Sequence, residues 1–370
     1  MADREGTDRL AAALAPLSRL APLATLALLL VTALALRELA PLVVPILFGL
    51  FLALVAWPLV PTLERRGLAH GPALVATGGL VLLVVLIGTG VLVLSVAELV
   101  ILVPAYEDRL AQVIERVRAT LAGFGIAADP EILAGAISPG TLASFAQSAA
   151  GAASRAAAAV LVLAITLVYA LAGARSLLER AESALGDRHA LLAGVERFGV
   201  DLRRYLLVRA QLGVFAAVLA FVLLALLGVP LPALWAILLF AASFIPNVGT
   251  LLALVPPTIL ALLDGGFLTA GAVVAGIGMI NVAQDYLLQP RLMATELNMS
   301  PLVVFVSIVA WAWILGPAGA LLAVPLTVGL IALLEATPGG RTVAILLRDR
   351  LDEPAVLVAE PARRRAARGS

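Results

Sequence analysis

Apolar runs of about twenty residues without a charge recur along the chain, the length a helix needs to cross the roughly 30 Å hydrocarbon core of a bilayer. Five are regular: Leu20–Leu36, Leu42–Val60, Gly71–Ala97, Ala156–Ala174 and Ala210–Val229. Two more, Leu231–Leu263 and Leu302–Leu334, each exceed thirty residues and are interrupted by Pro and Gly. As a single helix, either would run to roughly 45–50 Å. A Gly-rich run, Phe267–Gln284, separates them. The pattern predicts an all-α polytopic membrane protein with about eight hydrophobic segments.

Between the third and fourth runs the period changes. Leu110, Val113, Ile114, Val117 and Leu121 recur at helical spacing, opposite Glu107, Asp108, Glu115, Arg116 and Arg118, which predicts an amphipathic helix in 104–155. A second apolar face, Leu177, Leu178, Ala181, Ala184 and Leu185, predicts a helix lying along the membrane surface in 175–209.

The two long segments resemble each other. FIPNVGTLLALVPPTILALL (244–263) and ILGPAGALLAVPLTVGLIALL (314–334) share P-x(1,2)-G-x-L-L-A-x(0,1)-V-P. Pro removes a backbone donor and Gly admits unusual φ, so each segment is expected to be a helix broken near its middle. Broken backbone at membrane depth is tolerated where protein buries it or where it lines a wet cavity. Paired broken segments in two halves of a chain also point to a transporter's binding site. Pro246, Asn247, Gly249 and Pro256 in one copy, with Gly316, Pro317, Gly319 and Pro325 in the other, are therefore candidate path residues. Two topologies fit: kinked spans, or re-entrant hairpins whose arms return to the side they left.

Next to these segments lies a polar patch, QDYLLQPRLMATELNMSP (284–301), between charge-free stretches at 265–284 and 297–334. Polar groups beside membrane segments are costly and are usually functional. Asn281, Asp285 and Gln289 share one stripe if the span stays helical up to Pro290. Arg291 follows that proline and has Asp285 or Glu296 as possible partners. Asn281, Gln284, Asp285, Gln289, Pro290 and Arg291 form a candidate gate or coupling site, with Asp285 as the coupling carboxylate. Asp264, in the turn Asp264-Gly265-Gly266, is expected to be exposed. The alternative is an ordinary helix end with its charges reaching for water.

Composition agrees with the pattern. Hydrophobic residues make up 62% of the 370 residues and charged ones 13%, about half the share of a soluble domain. No cleavable leader pattern opens the chain, so the first run is expected to stay as a membrane helix. There is no Cys and no Lys, and all 25 basic residues are Arg. Disulfide chemistry is excluded, and so is a P-loop, which needs its Lys. The Arg bias suggests a GC-rich bacterial genome. His70 and His189 lie far apart, which makes a His-based metal site or triad implausible. No cofactor is expected. A net charge of +1 argues against nucleic acid.

Arg placement orients the chain. Seven Arg fall in 175–209 and seven in 335–370, whereas 98–131 has three Arg against six acids. That places 1–19, 175–209 and 335–370 in the cytoplasm and 104–155 outside. Arg37-Glu38 becomes an outside turn and Glu64-Arg65-Arg66 an inside one. The spans are then 20–103 (three), 156–174, and a transport core at 210–334 containing 231–263 and 302–334.

The run GVPLPALWAILLFAASFIPNVGTLLALVPPTILALL, followed by QDYLLQPRLMATELNMSPLVVFVSIVAWAWILGPAGALLAVPL, resembles the autoinducer-2 exporter-like family of bacterial permeases. APLVVPILFGLFLALVAWPLVPTLERRG and RRYLLVRAQ (203–211) add to the likeness, which covers about Leu20 to Leu334. Ala210 and Ala294 stand where that family usually has Gly. The resemblance implies a multi-pass inner-membrane protein, a homo-oligomer, and export of a small polar signal or exchange of cations for protons. The expected function is secondary transport of a small polar or amphipathic solute, coupled to H+ or Na+. A structural or regulatory membrane subunit is the competing reading. No nucleophile–base constellation suggests an enzyme.

Overall fold

The computed structural model describes residues 23–123, 139–185, 189–246, 249–292 and 299–335, with Gly340 and Leu347. The chain termini, the middle of the amphipathic segment (124–138), Asn247 and Glu296 lie outside the described residues. Among the described residues the secondary structure is helical throughout.

Helix α1 (23–38) meets α2 (Ala40–Ala56) at Leu39. There the backbone stays in the right-handed helical region, φ −83° and ψ −2°. The Leu39 N–H still donates to Ala35 (3.0 Å), and the Leu39 carbonyl accepts from Val43 (2.9 Å). The expected turn at Arg37-Glu38 is therefore a bend and not a reversal. A proline near the start of a helix needs no donor, so Pro41 lets α2 begin at once. Arg37 lies over the Trp313 ring at 5.2 Å, which gives its charge a partner without a loop. Short α3 (Leu59–Arg65) follows, and the α3–α4 joint carries a 2.5 Å contact between His70 Nδ1 and Glu64 Oε1.

The next three helices are long: α4 (His70–Gly123, 54 residues), α5 (Pro139–Leu185, 47 residues) and α6 (His189–Leu226, 38 residues). At about 1.5 Å per residue, α4 runs about 80 Å, far more than a bilayer requires. The extracytoplasmic segment expected at 104–155 is thus, at its ends, a continuation of α4 and α5. These two pack antiparallel. Leu74 and Val81 share a cluster with Leu167 and Leu171, while Val103 and Tyr106 share another with Ala146 and Ala150. Helix α2 crosses α5 at Gly49, where an added Cβ would lie 2.8 Å from Thr166 Cβ.

Two helix pairs complete the fold. Helix α7 (Pro232–Ala242) begins after Leu231, held left-handed at φ 60°, and the Trp235 indole N–H donates to the Pro230 carbonyl at 2.8 Å. It packs against the first arm (249–265) of α8 (Gly249–Ala283). Gly266 (φ 73°, ψ −167°) then breaks α8 and starts the arm 267–283. The second pair is α10 (Pro301–Leu315) and α11 (Pro317–Glu335), joined at Gly316 (φ 71°, ψ −160°); α9 is the short Gln289–Leu292 between the pairs. Only glycine adopts such positive φ without strain.

Both tips depend on a close approach. A Cβ on Gly249 would fall 1.9 Å from the Ala242 carbonyl oxygen, and one on Gly319 2.0 Å from that of Trp311. Pro256 and Pro325, expected near the breaks, instead sit inside helices that continue through them, half-buried and buried. Among the described residues, six helices are long and apolar enough to cross a membrane: Ala40–Arg65, His70–Pro104, Ala143–Ala174, Phe198–Leu226, Gly249–Leu288 and Pro317–Glu335. Pro232–Ala242 and Pro301–Leu315 are shorter apolar helices.

Asp264 lies at an exposed turn, as expected, yet its carboxylate is partnered. Its side chain is 22% exposed, accepts a 2.7 Å hydrogen bond from the Tyr106 hydroxyl and pairs with Arg109. Arg109 also lies over the Tyr106 ring at 5.6 Å. Burial first, and then the bond to the Asp264 carboxylate, push the Tyr106 hydroxyl well above the ordinary tyrosine range, against the opposing pull of Arg109. The end of α8's first arm is thereby latched to α4 beyond its apolar part.

Two tests follow from these contacts. Gly249→Ala or Gly319→Ala drives a Cβ into backbone and should cost about 1–3 kcal/mol, seen as a lower thermal transition in detergent. Gly271→Ala, with open space around it, should be neutral. Tyr106 should ionise above the roughly pH 10 of free tyrosine in a tyrosinate-absorbance titration of wild type against Tyr106→Phe. Because the folded value is the higher one, the latch's contribution is fully present below about pH 10 and is lost as pH rises through the folded value. Wild type should therefore lose more stability above pH 10 than Tyr106→Phe.

Candidate transport core

The second arm of α8 ends in a π-helical turn, Gln284–Leu288, in which the Gln289 N–H bonds back to the Gln284 carbonyl five residues earlier. Pro290 has no N–H to continue an α ladder, and the wider turn resets the hydrogen bonding just before it. Single π-turns inside α-helices are frequent at functional sites. The helix continues through Pro290 to Leu292.

This turn rearranges the expected stripe. An i,i+4 row stays aligned at 3.6 residues per turn, and the wider π-turn shifts it out of line. Gln284 is 5% exposed, Asn281 and Gln289 are half-buried, and Asp285 is exposed. Asn281 and Gln284 share the inner face, while Asp285 leaves it. The Asn281 Nδ2 donates to the Ile277 carbonyl (2.9 Å). Its Oδ1 accepts from the Thr250 hydroxyl (3.1 Å). Thr250 is the second residue of α8, so Asn281 ties the polar patch to a broken segment.

The tip itself, 243–246, wedges between α6 and the second pair. Phe244 packs with Leu202, Tyr205, Leu206, Val324 and Val328. Ile245 packs with Ile308, Ala320 and Ala323, which brings Pro246 and Gly249 toward the region of Gly316 and Gly319. Pro317 is exposed at the second turn. The Trp311 indole N–H donates to the buried Thr327 hydroxyl at 3.0 Å, binding α10 to α11.

Arg209 is the residue that sequence reasoning missed. It was grouped with the charges of the 175–209 link, yet α6 carries it inside the candidate span Phe198–Leu226. Its Nη1 donates to the Ser243 carbonyl at 3.3 Å, at the C-terminal end of α7, where the helix dipole favours a cation. The Ser243 hydroxyl donates to the Leu239 carbonyl (3.0 Å). The Arg209 guanidinium lies 5.5 Å from the Tyr205 ring centre. It forms no salt bridge with Asp285. Arg291 is exposed and forms no ion pair with a described residue. A readable signal existed: Tyr205 and Arg209 stand one helical turn apart at the edge of a charge-free run.

Long apolar helices surrounding two packed helix pairs, with polar groups gathered where the pairs meet, define a multi-pass membrane transport protein. The chain belongs to the AI-2E family of transporters, whose profile matches residues 23–339. It is 29% identical to the AI-2 transport protein TqsA of Escherichia coli over 321 residues, covering 87% of this chain and 93% of that protein. It is 31% identical to the putative transport protein YhhT of Escherichia coli, covering 86% and 91%. A putative transport protein of Haemophilus influenzae is 29% identical, with 84% and 91% covered.

The Thr250–Asn281 bond can be measured directly. In a double-mutant cycle of Thr250→Val and Asn281→Leu, unfolding in detergent should show a coupling of about 0.5–1.5 kcal/mol. Additive effects would mean that the two side chains act separately.

Proposed function

We propose that the protein is a secondary transporter, or exporter, of a small polar or amphipathic solute in a bacterial inner membrane, driven by a proton or sodium gradient. The observation that carries this reading is the first tip, which meets α6, the second helix pair and the polar patch at one place. In this reading both pairs are re-entrant hairpins of opposite sense. The pair α7 and 249–265 leaves and returns on the outer side, and α10 and α11 do so on the cytoplasmic side. The region joining α5 to α6 and the Arg-rich tail are cytoplasmic, and the protein works as a homo-oligomer. Asn281, Gln284, Gln289, Pro290 and Arg291 border the path. Asp285 is the coupling carboxylate.

Purified protein in proteoliposomes, given an imposed proton or sodium gradient, tests the reading. AI-2 is the first solute to try, because the name of the Escherichia coli relative specifies it. Gradient-driven flux is expected in wild type. Asp285→Asn keeps the side chain's shape, removes its charge, and should abolish that flux while assembly stays intact. Absence of flux for every small polar solute under either gradient would favour a structural membrane subunit instead.

A further inference from the structure

Among the described residues, the buried side-chain polar atoms without a bonded partner are Thr77 Oγ1 on α4, Arg203 Nε, Tyr205 Oη and Arg209 Nε on α6, and Gln284 Oε1 in the π-turn. The Arg209 Nε and the Gln284 Oε1 lack a hydrogen-bond partner, and the Tyr205 hydroxyl has only the Arg209 guanidinium beside it. Tyr205 is 6% exposed and Gln284 5%. Tyr205 and Arg209 lie one turn apart on α6, and α6 packs against the turn that carries Gln284. A buried donor or acceptor left unsatisfied destabilises a fold more than a made hydrogen bond stabilises it, and more still when the group is charged. Among the described residues Arg209 has no salt bridge. Its Nη1 is held by the Ser243 carbonyl, which fixes the guanidinium plane. The Nε side is left unbonded. That edge of a guanidinium accepts two oxygens of a carboxylate or phosphate in parallel.

We propose that Arg209 is the anion-binding element of the solute site. The solute carries an oxyanion, a carboxylate or a phosphate, that takes the Nε edge of Arg209, assisted by the Tyr205 hydroxyl. It also carries a hydroxyl that donates to Gln284 Oε1. The class is therefore small hydroxylated acids or phosphate esters. On this proposal the Arg209 Nε and the Tyr205 hydroxyl donate to the anion and the Gln284 Oε1 accepts from the hydroxyl, each in keeping with its chemistry. The proposal rests on the transporter reading, but it concerns binding and can fail separately.

The test is binding to the purified full-length protein in nanodiscs, followed by calorimetry and by the shift in thermal transition. The probes are gluconate, glycerol 3-phosphate, inorganic phosphate and neutral sorbitol. Gluconate and glycerol 3-phosphate should bind and stabilise, inorganic phosphate more weakly, and sorbitol not at all. Arg209→Gln should weaken the two hydroxylated anions by about tenfold or more. Arg209→Lys keeps the charge and loses the flat edge, so it should weaken them by several fold, and it serves as the informative variant if Arg209→Gln does not fold. Gln284→Leu should bring gluconate down toward the affinity of phosphate. Arg66→Gln, an exposed arginine in the α3–α4 joint, should change nothing. Equal affinity for gluconate in wild type and both Arg209 variants, or no anion binding in wild type, overturns the proposal, and buried water then satisfies these atoms. Binding without flux would uphold the site and remove the transport reading; flux indifferent to Arg209 would do the reverse.

Discussion

An apolar chain that reverses direction must still satisfy its backbone, because an unpaired amide or carbonyl away from water costs several kcal/mol. The core of this protein reverses twice within apolar sequence, and each reversal is built on a glycine pressed against a carbonyl. Gly249 sits on the end of α7 and Gly319 on the last turn of α10, so closely that neither position has room for a methyl group. That contact lets the helix ends be covered by protein. The final carbonyls of α7 receive the Ser243 hydroxyl and the Arg209 guanidinium. The charge of Arg209 is thus retained inside a candidate span because it completes a reversal that needs it.

The same requirement accounts for the cluster of polar groups. Once Arg209 is committed to the tip, Tyr205 stacks beside it, and the π-turn before Pro290 points Gln284 inward and Asp285 outward. Structural and functional demands fall on the same atoms. The groups that close the first hairpin are those with bonding capacity left over, so a ligand that engages them also bears on the geometry of the tip.

Far from the tip, α4 carries the fold beyond its apolar section. The bond from Tyr106 to Asp264 and the pairing of Arg109 with that carboxylate anchor the far end of the first hairpin. One arm is therefore held at both ends, by a glycine contact at the tip and by a partnered carboxylate at the base. Motion of this arm has to begin by loosening one of the two.

The amino-acid sequence by itself determined the class of the protein. Charge-free runs of bilayer length mark membrane helices wherever they occur, since hydrocarbon admits few alternatives to a helix, and the family resemblance followed from local motifs in 201–330. The paired broken segments were also legible, because Pro and Gly act on the backbone where they stand. Their breaks fell elsewhere than Pro256 and Pro325 suggested: a helix interior with neighbours packed around it absorbs a proline, whereas a positive φ at Gly316 or Gly266 cannot be absorbed. Leu39 became a bend because a single residue with helical φ and ψ cannot turn a chain back. Asn281 and Gln284 were found as polar residues in an apolar run, but which of Gln284 and Asp285 faces inward depended on the π-turn. Local sequence reads Arg209 as part of a charged link and puts Asp264 at an exposed turn, but shows the partner of neither. Their partners lie 34 residues away at Ser243 and 158 away at Tyr106, and pairings over such distances are decided by packing, which no local pattern encodes.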